Sequence, residues 1–413
     1  MIVVVGAGAA GLMAAIHAAR AGGRVLVLER TADGGRKILI SGGGRCNVLP
    51  VALEPRRFVT DSSPNTLRRL LLAWPLEAQR AFFEHDLGLP LAVEEETGKL
   101  FPISNRARDV RDGLVELARR EGVEFRFGAA MSSLESAPEG WRVGLQSGEP
   151  IDARAVVLAT GGLSVPKTGS DGTGLEIARG LGHPIHPTYP ALTPLLAEPP
   201  VHADLSGVSL TVSLKGRHGS RTTTASGGFL FTHRGYSGPA VLDLSHLVTR
   251  YRLLGEGRPS IGARWCDLDG DAWQTILRRQ SNQRVATPLR ERLPSRLVDR
   301  LLDEAGVPRD RTVAQLRAAE RVALIARLDG YQLPWTGDEG YRKAEVTGGG
   351  IALTAVDPET LESRHCPGLF LCGEILDAFG PIGGHNFAWA WSTGRAAGVG
   401  AAGGSTPEVP FAL

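Results

Sequence analysis

The residues Gly6-Ala7-Gly8-Ala9-Ala10-Gly11 follow four apolar residues, Ile2-Val3-Val4-Val5, and lead into the run Leu12 to Ala21. A G-x-G-x-x-G sequence between a strand and a helix is suited to holding a dinucleotide pyrophosphate. Gly6 permits the tight turn, Gly8 lets backbone approach the phosphates, and Gly11 lets the helix pack close to the strand. Ala9 and Ala10 open the helix, where free N–H groups and the positive dipole end favour an anion. Glu29 lies 18 residues after Gly11, at the end of the strand Val25 to Leu28, and Arg30 follows it. A carboxylate at that offset suits ribose hydroxyls. The motif alone does not separate a nicotinamide dinucleotide from a flavin one.

Three further segments make that separation. In Gly34-Gly35-Arg36-Lys37-Ile38-Leu39-Ile40-Ser41-Gly42-Gly43-Gly44-Arg45-Cys46-Asn47, three consecutive glycines can turn several N–H groups onto one ligand, and Arg36, Lys37 and Arg45 can offset pyrophosphate charge. The strand Val156 to Leu158 ends in the small-residue turn Ala159-Thr160-Gly161-Gly162, and a glycine-rich loop containing Asp171 heads the next helix. Late in the chain, Gly368 to Cys372 ends in Gly373-Glu374, and Gly383-Gly384-His385-Asn386-Phe387 opens a final helix. A Gly-Glu strand end suits the polyol of a flavin, and a helix start beyond it would aim its dipole at the flavin N1/O2 edge. Elements this far apart in the chain are what FAD requires and what a compact NAD site does not.

No catalytic side chain declares itself, because in a flavoenzyme the cofactor carries the hydride and the protein orients it. His385 and Asn386 are placed to touch cofactor through their backbone, with His385 either a proton carrier or a structural histidine. Lys343, Glu345 and Thr347 precede Gly348-Gly349-Gly350 and read either as cleft residues or as ordinary strand-edge polarity. His233 and Tyr236 fall in a segment of the insert that reads either as lining for a substrate pocket or as a structural turn. Cys46 reads as a small packing residue rather than a redox thiol, having no resolving cysteine nearby.

The elements that must position these groups start with a βαβ opening. Helical patterns cover Phe58 to Asp86 and Val110 to Arg120, the latter leading into the strand Val123 to Phe127. Residues 131–158 alternate like an antiparallel excursion that returns in the strand Ala155 to Ala159. Short β segments follow at Val208 to Leu214, Arg221 to Thr224 and Phe229 to Thr232, and the pattern is helical from Asp271 to about Leu328. The reading is an α/β protein with a Rossmann-like FAD-binding domain of the glutathione-reductase-like ββα type. It divides into the first part of that domain (1–190), a β-rich, barrel-like insert (191–268), a small helical insert (269–339) and the second part (340–413). Gly403 to Leu413 reads as a loosely held tail.

Composition narrows the class. At 413 residues, with 42% hydrophobic and 22% charged residues, the chain has the make-up of a packed globular protein of two or three domains. Lys and Arg number 46 against 44 acidic residues, which supplies no broad footprint for nucleic acid or an acidic membrane. Residues 271–330 hold twelve Arg and eight acidic residues, a local excess that solvated helix faces also show. Four dispersed cysteines, none in C-x-x-C spacing, point to a reducing, cytoplasmic setting and no zinc ribbon or other metal site. No apolar run reaches the length of a membrane span.

The segments GAGAAG, GGRKILISGGGRCN, ATGGLSVPKTGSDG, FLFTHRGYSGPAVLDLS and GLFLCGEILDAFGPIGGHNFAWAWSTG, in this order, cover nearly the whole chain. Together they resemble the bacterial aminoacetone oxidase-like flavoprotein family, which also includes a bile-acid reductase. That resemblance implies non-covalent FAD, a discontinuous FAD domain and two inserts. It carries cofactor and fold further than substrate, because members differ in what they act on. Cys372 stands where many relatives have a smaller residue and is expected to be a buried, inert thiol.

The expected function is two-electron transfer between FAD and a small organic substrate. O2 or NAD(P)H is the expected redox partner, the nicotinamide docking transiently because only one dinucleotide fingerprint is present. Neither nucleic acid nor membrane is expected as a partner. The alternatives are a flavin-dependent RNA-modifying enzyme and a non-catalytic flavin redox sensor.

Overall fold

The computed structural model describes residues 1–219, 221–255, 257–278 and 281–404, so most of the expected tail lies outside the described residues. Two compact units result, one of residues 1–188 and 346–413, the other of residues 189–345.

The first unit is built on a five-stranded parallel sheet. Strand β1 (Ile2–Val5), helix α1 (Ala9–Arg20) and strand β2 (Val25–Glu29) form the opening βαβ unit. The strand order runs Leu369–Leu371, Ala155–Leu158, β1, β2, Glu124–Phe127, with Val3 opposite both Val156 and Leu26. Every residue of β1, β2 and Ala155–Leu158 is buried. Strands covered on both faces read as unbroken apolar runs rather than as alternation, which is why these segments stand out in the sequence.

Helix α1 packs against Ala107–Arg120 and, most extensively, against the last helix, His385–Ala401. The second contact is made backbone to backbone. A Cβ at Gly394 would overlap the carbonyl oxygen of Ala10, and one at Gly398 that of Ala14. Alanines on one helix and glycines on the other therefore let residues 9–20 and 385–401 approach at main-chain distance. Two small antiparallel sheets complete the unit. One joins Leu49–Pro50, Lys99–Pro102 and Leu91–Glu94; the other is the expected excursion Met131–Ala137, Gly140–Leu145, Ile151–Ala153. The expected helix over Phe58 to Asp86 is broken: Pro64–Leu72 and Leu76–Ala81 are α-helical, Phe82–Asp86 is a π-turn, and residues 58–63 are an extended loop. Pro64 and Pro75 set the breaks, each occupying or preceding a first helical turn, where its fixed φ is tolerated.

The second unit has a seven-stranded antiparallel sheet, in the order Asp329–Gln332, Ser260–Arg264, Ser209–His218, Arg221–Phe231, Gly235–Ser237, Leu195–Leu196, Gly337–Asp338. Arg221–Phe231 is one continuous strand where the sequence reads as two, because Gly227 and Gly228 continue the ladder opposite Val212 and Thr211. Both glycines lie beneath Pro239 of a 16-residue helix, Pro239–Leu254, which the β-rich reading of this stretch misses. Its signals are Pro239 in the first turn and Gly255, in the left-handed conformation, at the end. Shorter helices, Gly270–Ile276, Ala286–Arg290, Ser295–Glu304 and Ala318–Leu328, follow. The core here is aromatic: Phe229, Phe231, Tyr236 and Trp265 are buried in mutual contact, with ring centroids 4.9 Å apart for the two phenylalanines.

Candidate functional site

The fingerprint turn is stripped to main chain. Gly6 has φ of 104°, and a Cβ there would sit 2.5 Å from the carbonyl oxygen of Ala159, whose own N–H bonds Val5 at 2.9 Å. A Cβ at Gly11 would overlap the Gly6 carbonyl oxygen. At Gly8 the same test meets nothing within 4 Å, so open space lies beside that residue. Gly8 is extended and caps α1 without a side chain, no acidic residue occupies the first turn, and the first intrahelical bond runs from Leu12 N to Gly8 O. The amides of Ala9, Ala10 and Gly11 are thus unclaimed by any capping side chain, the arrangement an anion completes.

Glu29 is buried and braces this turn. Its Oε2 accepts from Ala7 N at 2.8 Å, and its Oε1 accepts from Thr31 N and Oγ1 at 2.8 and 2.7 Å. One lone pair on Oε2 remains for a further donor such as a ribose hydroxyl. Arg30 pairs with Asp171, bringing the third glycine-rich loop beside the end of β2. Gly35, left-handed at φ 70°, donates to Ala7 O at 2.8 Å and starts α2 (Arg36–Ile40).

The three cations offered as phosphate counter-charges each face a carboxylate of their own. Arg36 pairs with Asp33 at 2.8 Å, Lys37 with Glu374 at 2.5 Å and Arg45 with Glu94 at 2.9 Å, while the Arg45 guanidinium lies 4.0 Å from the Phe101 ring centre. The glycines after Ser41 carry the unusual backbone: Gly42, Gly43 and Gly44 have φ of 55, 67 and 86°, and a Cβ on either of the last two meets nothing within 4 Å. Cys46 is buried, and burial pushes its thiol up to about 12, so it is not a thiolate near neutrality. Burial likewise raises the Cys372 thiol, in line with an inert packing role. The Asn47 Oδ1 and Thr160 Oγ1 atoms are buried without hydrogen-bond partners among the described residues.

At the other end of the site, Gly373 has φ of 80° and donates to Thr393 Oγ1 at 3.0 Å. Gly383 and Gly384 have φ of 112 and 93°, and the helix they introduce has no side-chain cap and no acid in its first turn. His385, its first residue, has a buried ring that meets Phe58 edge-on, centroids 6.0 Å apart. Burial, aided by Arg57, brings its imidazole down to about 4, so it is neutral at physiological pH. Both ring nitrogens are buried without a hydrogen-bond partner among the described residues. Asn386 closes the turn on itself through Gly380, accepting at 2.9 Å and donating at 3.0 Å, and Phe387 stacks on Trp391 at 5.3 Å.

Several participants are absent from the sequence reading. Ser164 Oγ donates to Glu374 Oε1 at 2.5 Å, and Thr347, considered only as one polar residue of the return strand, donates its N–H to the same oxygen at 3.1 Å. Buried Asp377 gathers the loop 60–62: its Oδ2 accepts from Thr60 Oγ1, Asp61 N, Ser62 N and Ser62 Oγ at 2.8–2.9 Å. The only signal for it is its place three residues after Glu374. Lys343 and Glu345 belong to the other compact unit, as do His233 and Tyr236. Tyr236 is buried, its hydroxyl 2.8 Å from His202 Nδ1, as a structural residue would be. Among the described residues no group of His, Cys, Asp and Glu could hold a metal ion, and no helix is long and apolar enough to cross a membrane.

Two uncapped helix N-termini, left-handed glycine backbone and open space beside Gly8, Gly43 and Gly44 fit a long anionic dinucleotide with a polar headgroup. With a parallel Rossmann-type sheet beneath them, they define an FAD-dependent oxidoreductase. Residues 1–400 match the model of the HI0933-like protein Rossmann domain, and the chain belongs to that family. It is 35% identical to the ribosomal RNA dihydrouridine synthase of Escherichia coli, covering 95% of both chains. It is 30% identical to the 3-dehydro-bile acid delta(4,6)-reductase of Clostridium scindens, covering 97% of this chain and 98% of the relative. Among solved structures, a 3-ketosteroid delta1-dehydrogenase from Sterolibacterium denitrificans superposes with a TM-score of 0.52 at 13% identity, over 97% of this chain and 99% of that one, and so shares the fold.

Proposed function

We propose that this protein saturates a carbon–carbon double bond conjugated to a carbonyl, in an organic substrate, with electrons drawn from transiently docked NAD(P)H. The observation that carries this is the bond the two relatives' names share. Dihydrouridine is uridine with its ring C=C saturated beside a carbonyl, and a 3-dehydro delta(4,6) compound carries C=C bonds conjugated to its 3-oxo group. The balance is complete: NAD(P)H and one proton are consumed, hydride goes to the carbon β to the carbonyl, the proton to the α carbon, and NAD(P)+ leaves. Non-covalently bound FAD supplies the hydride relay.

The chain's own residues bind and orient. The Ala9, Ala10 and Gly11 amides and the turn 42–44 hold the pyrophosphate, Glu29 the adenosine ribose, and the His385 helix start the end where negative charge develops. In the test, anaerobic protein is mixed with NADPH or NADH, then with an α,β-unsaturated ketone, and flavin absorbance is followed. Bleaching by a nicotinamide and recovery on adding the ketone are expected. Bleaching that only O2 reverses would replace the reductase with an oxidase, and no bleaching by any donor would favour a redox sensor.

A second reading takes the bond from a uracil in RNA. It is favoured by the 35% identity to the E. coli enzyme over nearly the full chain. Against it, many arginines of residues 271–330 are engaged within the unit: Arg290 with Asp299, Arg300 with Glu304, Arg309 with Asp303, Arg311 with Glu320. Ribosomal RNA treated with the reduced protein and digested to nucleosides decides it, because only this reading yields dihydrouridine. The four cysteines are free thiols, which supports action in the cytoplasm.

A further inference from the structure

We propose that Lys37, Ser164 and Glu374 form an ionic clasp that sets how fast FAD leaves the protein, with Thr347 the positioning residue that fixes its carboxylate. The inference rests on reading the surrounding glycine segments as the FAD site.

Lys37, on α2, and Glu374, in the turn after Leu369–Leu371, are 337 residues apart in sequence, yet Lys37 Nζ lies 2.5 Å from Glu374 Oε2. Lys37 Nζ also donates to Ser164 Oγ at 2.7 Å, and Ser164 Oγ donates to Glu374 Oε1 at 2.5 Å. The three side chains thus close a ring of hydrogen bonds. Thr347 holds it from beneath: its N–H donates to Glu374 Oε1, and its Oγ1 accepts from Leu163 N and Ser164 N at 2.7 and 3.1 Å. Four segments meet at one carboxylate, and three of them carry the glycine motifs of the site.

Two features strengthen this pair relative to the exposed ion pairs of the molecule. The Lys37 and Glu374 side chains are only 26% and 17% exposed, so their attraction is screened less than that of an exposed pair. The backbone is also shaped around it, since a Cβ on Gly162 would overlap Thr347 Oγ1 and lie 3.1 Å from Glu374 Oε1. Lys37 therefore acts as an internal counter-charge that ties the first cofactor loop to the last, not as a phosphate ligand. Opening the tie costs a charge-assisted hydrogen bond, and that cost adds to the barrier for releasing the cofactor.

The experiment follows the rise of flavin fluorescence as holoprotein is diluted, at low and high salt. Lys37→Met is expected to release FAD about 10- to 100-fold faster, the range a lost charged hydrogen bond implies. Ser164→Ala is expected to do so by a smaller factor, and Lys37→Met combined with Glu374→Gln should release no faster than the faster single variant. Salt should speed release from the unaltered protein more than from Lys37→Met. A purely structural role would lower the melting temperature of the apoprotein without this salt signature or coupling. Wild-type release rates in both Lys37→Met and Ser164→Ala, or strictly multiplicative effects in the double variant, would overturn the clasp. Protein that takes up no flavin even after reconstitution would instead overturn the FAD reading beneath it.

Discussion

The two compact units bury their interiors with different atoms. In the first, main chain meets main chain: Gly6 against Ala159, Gly11 against Gly6, Gly394 and Gly398 against α1. In the second, a cluster of rings, Phe229, Phe231, Tyr236 and Trp265, sits among aliphatic side chains beside a hydrogen-bonded chain of His202, Tyr331 and Glu304. The difference teaches where a ligand is expected. Removing side chains exposes N–H groups and makes room beside them, whereas filling a space with rings leaves neither.

The comparison can be broken most severely at Gly11 or Trp265. Gly11→Val places side-chain atoms on the Gly6 carbonyl and is expected to abolish folded, yellow protein, whereas Gly8→Val, with open space around it, should give folded but colourless protein. Circular dichroism together with the flavin absorbance separates the two, and equal damage from both would refute the distinction. In the second unit Trp265→Ala is expected to cost about 3–5 kcal/mol by cavity formation, read from the urea midpoint. At the site, Glu29→Ala should weaken FAD binding by about 1–3 kcal/mol in a flavin titration, because it frees the Ala7 and Thr31 amides as well as the ribose contact.

Acid sharpens the contrast. Burial lowers His385 in the first unit and His246 in the second from 6.5 to about 4. Both are neutral when folded, so their contribution is whole above pH 6.5 and lost as pH falls towards 4, where the unfolded chain binds more protons. Glu304, of the second unit alone, resists the burial that would raise it. Hydrogen bonds from His202, Arg300 and Tyr331 bring it down to about 2, so its contribution persists until pH falls below 4.5. Stability measured across this range should decline as pH falls, and Glu304→Gln should reduce only part of the loss below pH 4.5, because other carboxylates such as Asp171 and Asp357 are lowered as well. The smallest effect is expected for Tyr236→Phe, about 0.5–1.5 kcal/mol from one hydroxyl bonded to His202, with FAD binding unchanged.

The parallel sheet and its fingerprint were legible because buried strands and obligatory glycines are local signals: Ile2–Val5, Gly6 to Gly11 and Glu29 need no distant partner to be recognised. The helix Pro239–Leu254 was hidden by glycine-rich strands on its N-terminal side, although Pro239 and Gly255 mark its ends. The partners of Lys37 and Arg45 were illegible for another reason. A cation in a sequence looks available until the fold brings a carboxylate to it, and Glu374 arrives from 337 residues away. Ser164 and Asp377 lie inside motif segments and Thr347 beside the glycines 348–350, but nothing local singles them out, and their hydrogen bonds are a matter of convergence.

The backbone contact between residues 9–20 and 385–401 has a consequence for biosynthesis. During translation the first helix is made early, but the glycine face it docks on emerges almost 400 residues later, after the whole of residues 189–345. Until then α1 lacks the partner it contacts most extensively. A chain ending before Gly394 would lack the glycine face on which residues 9–20 dock.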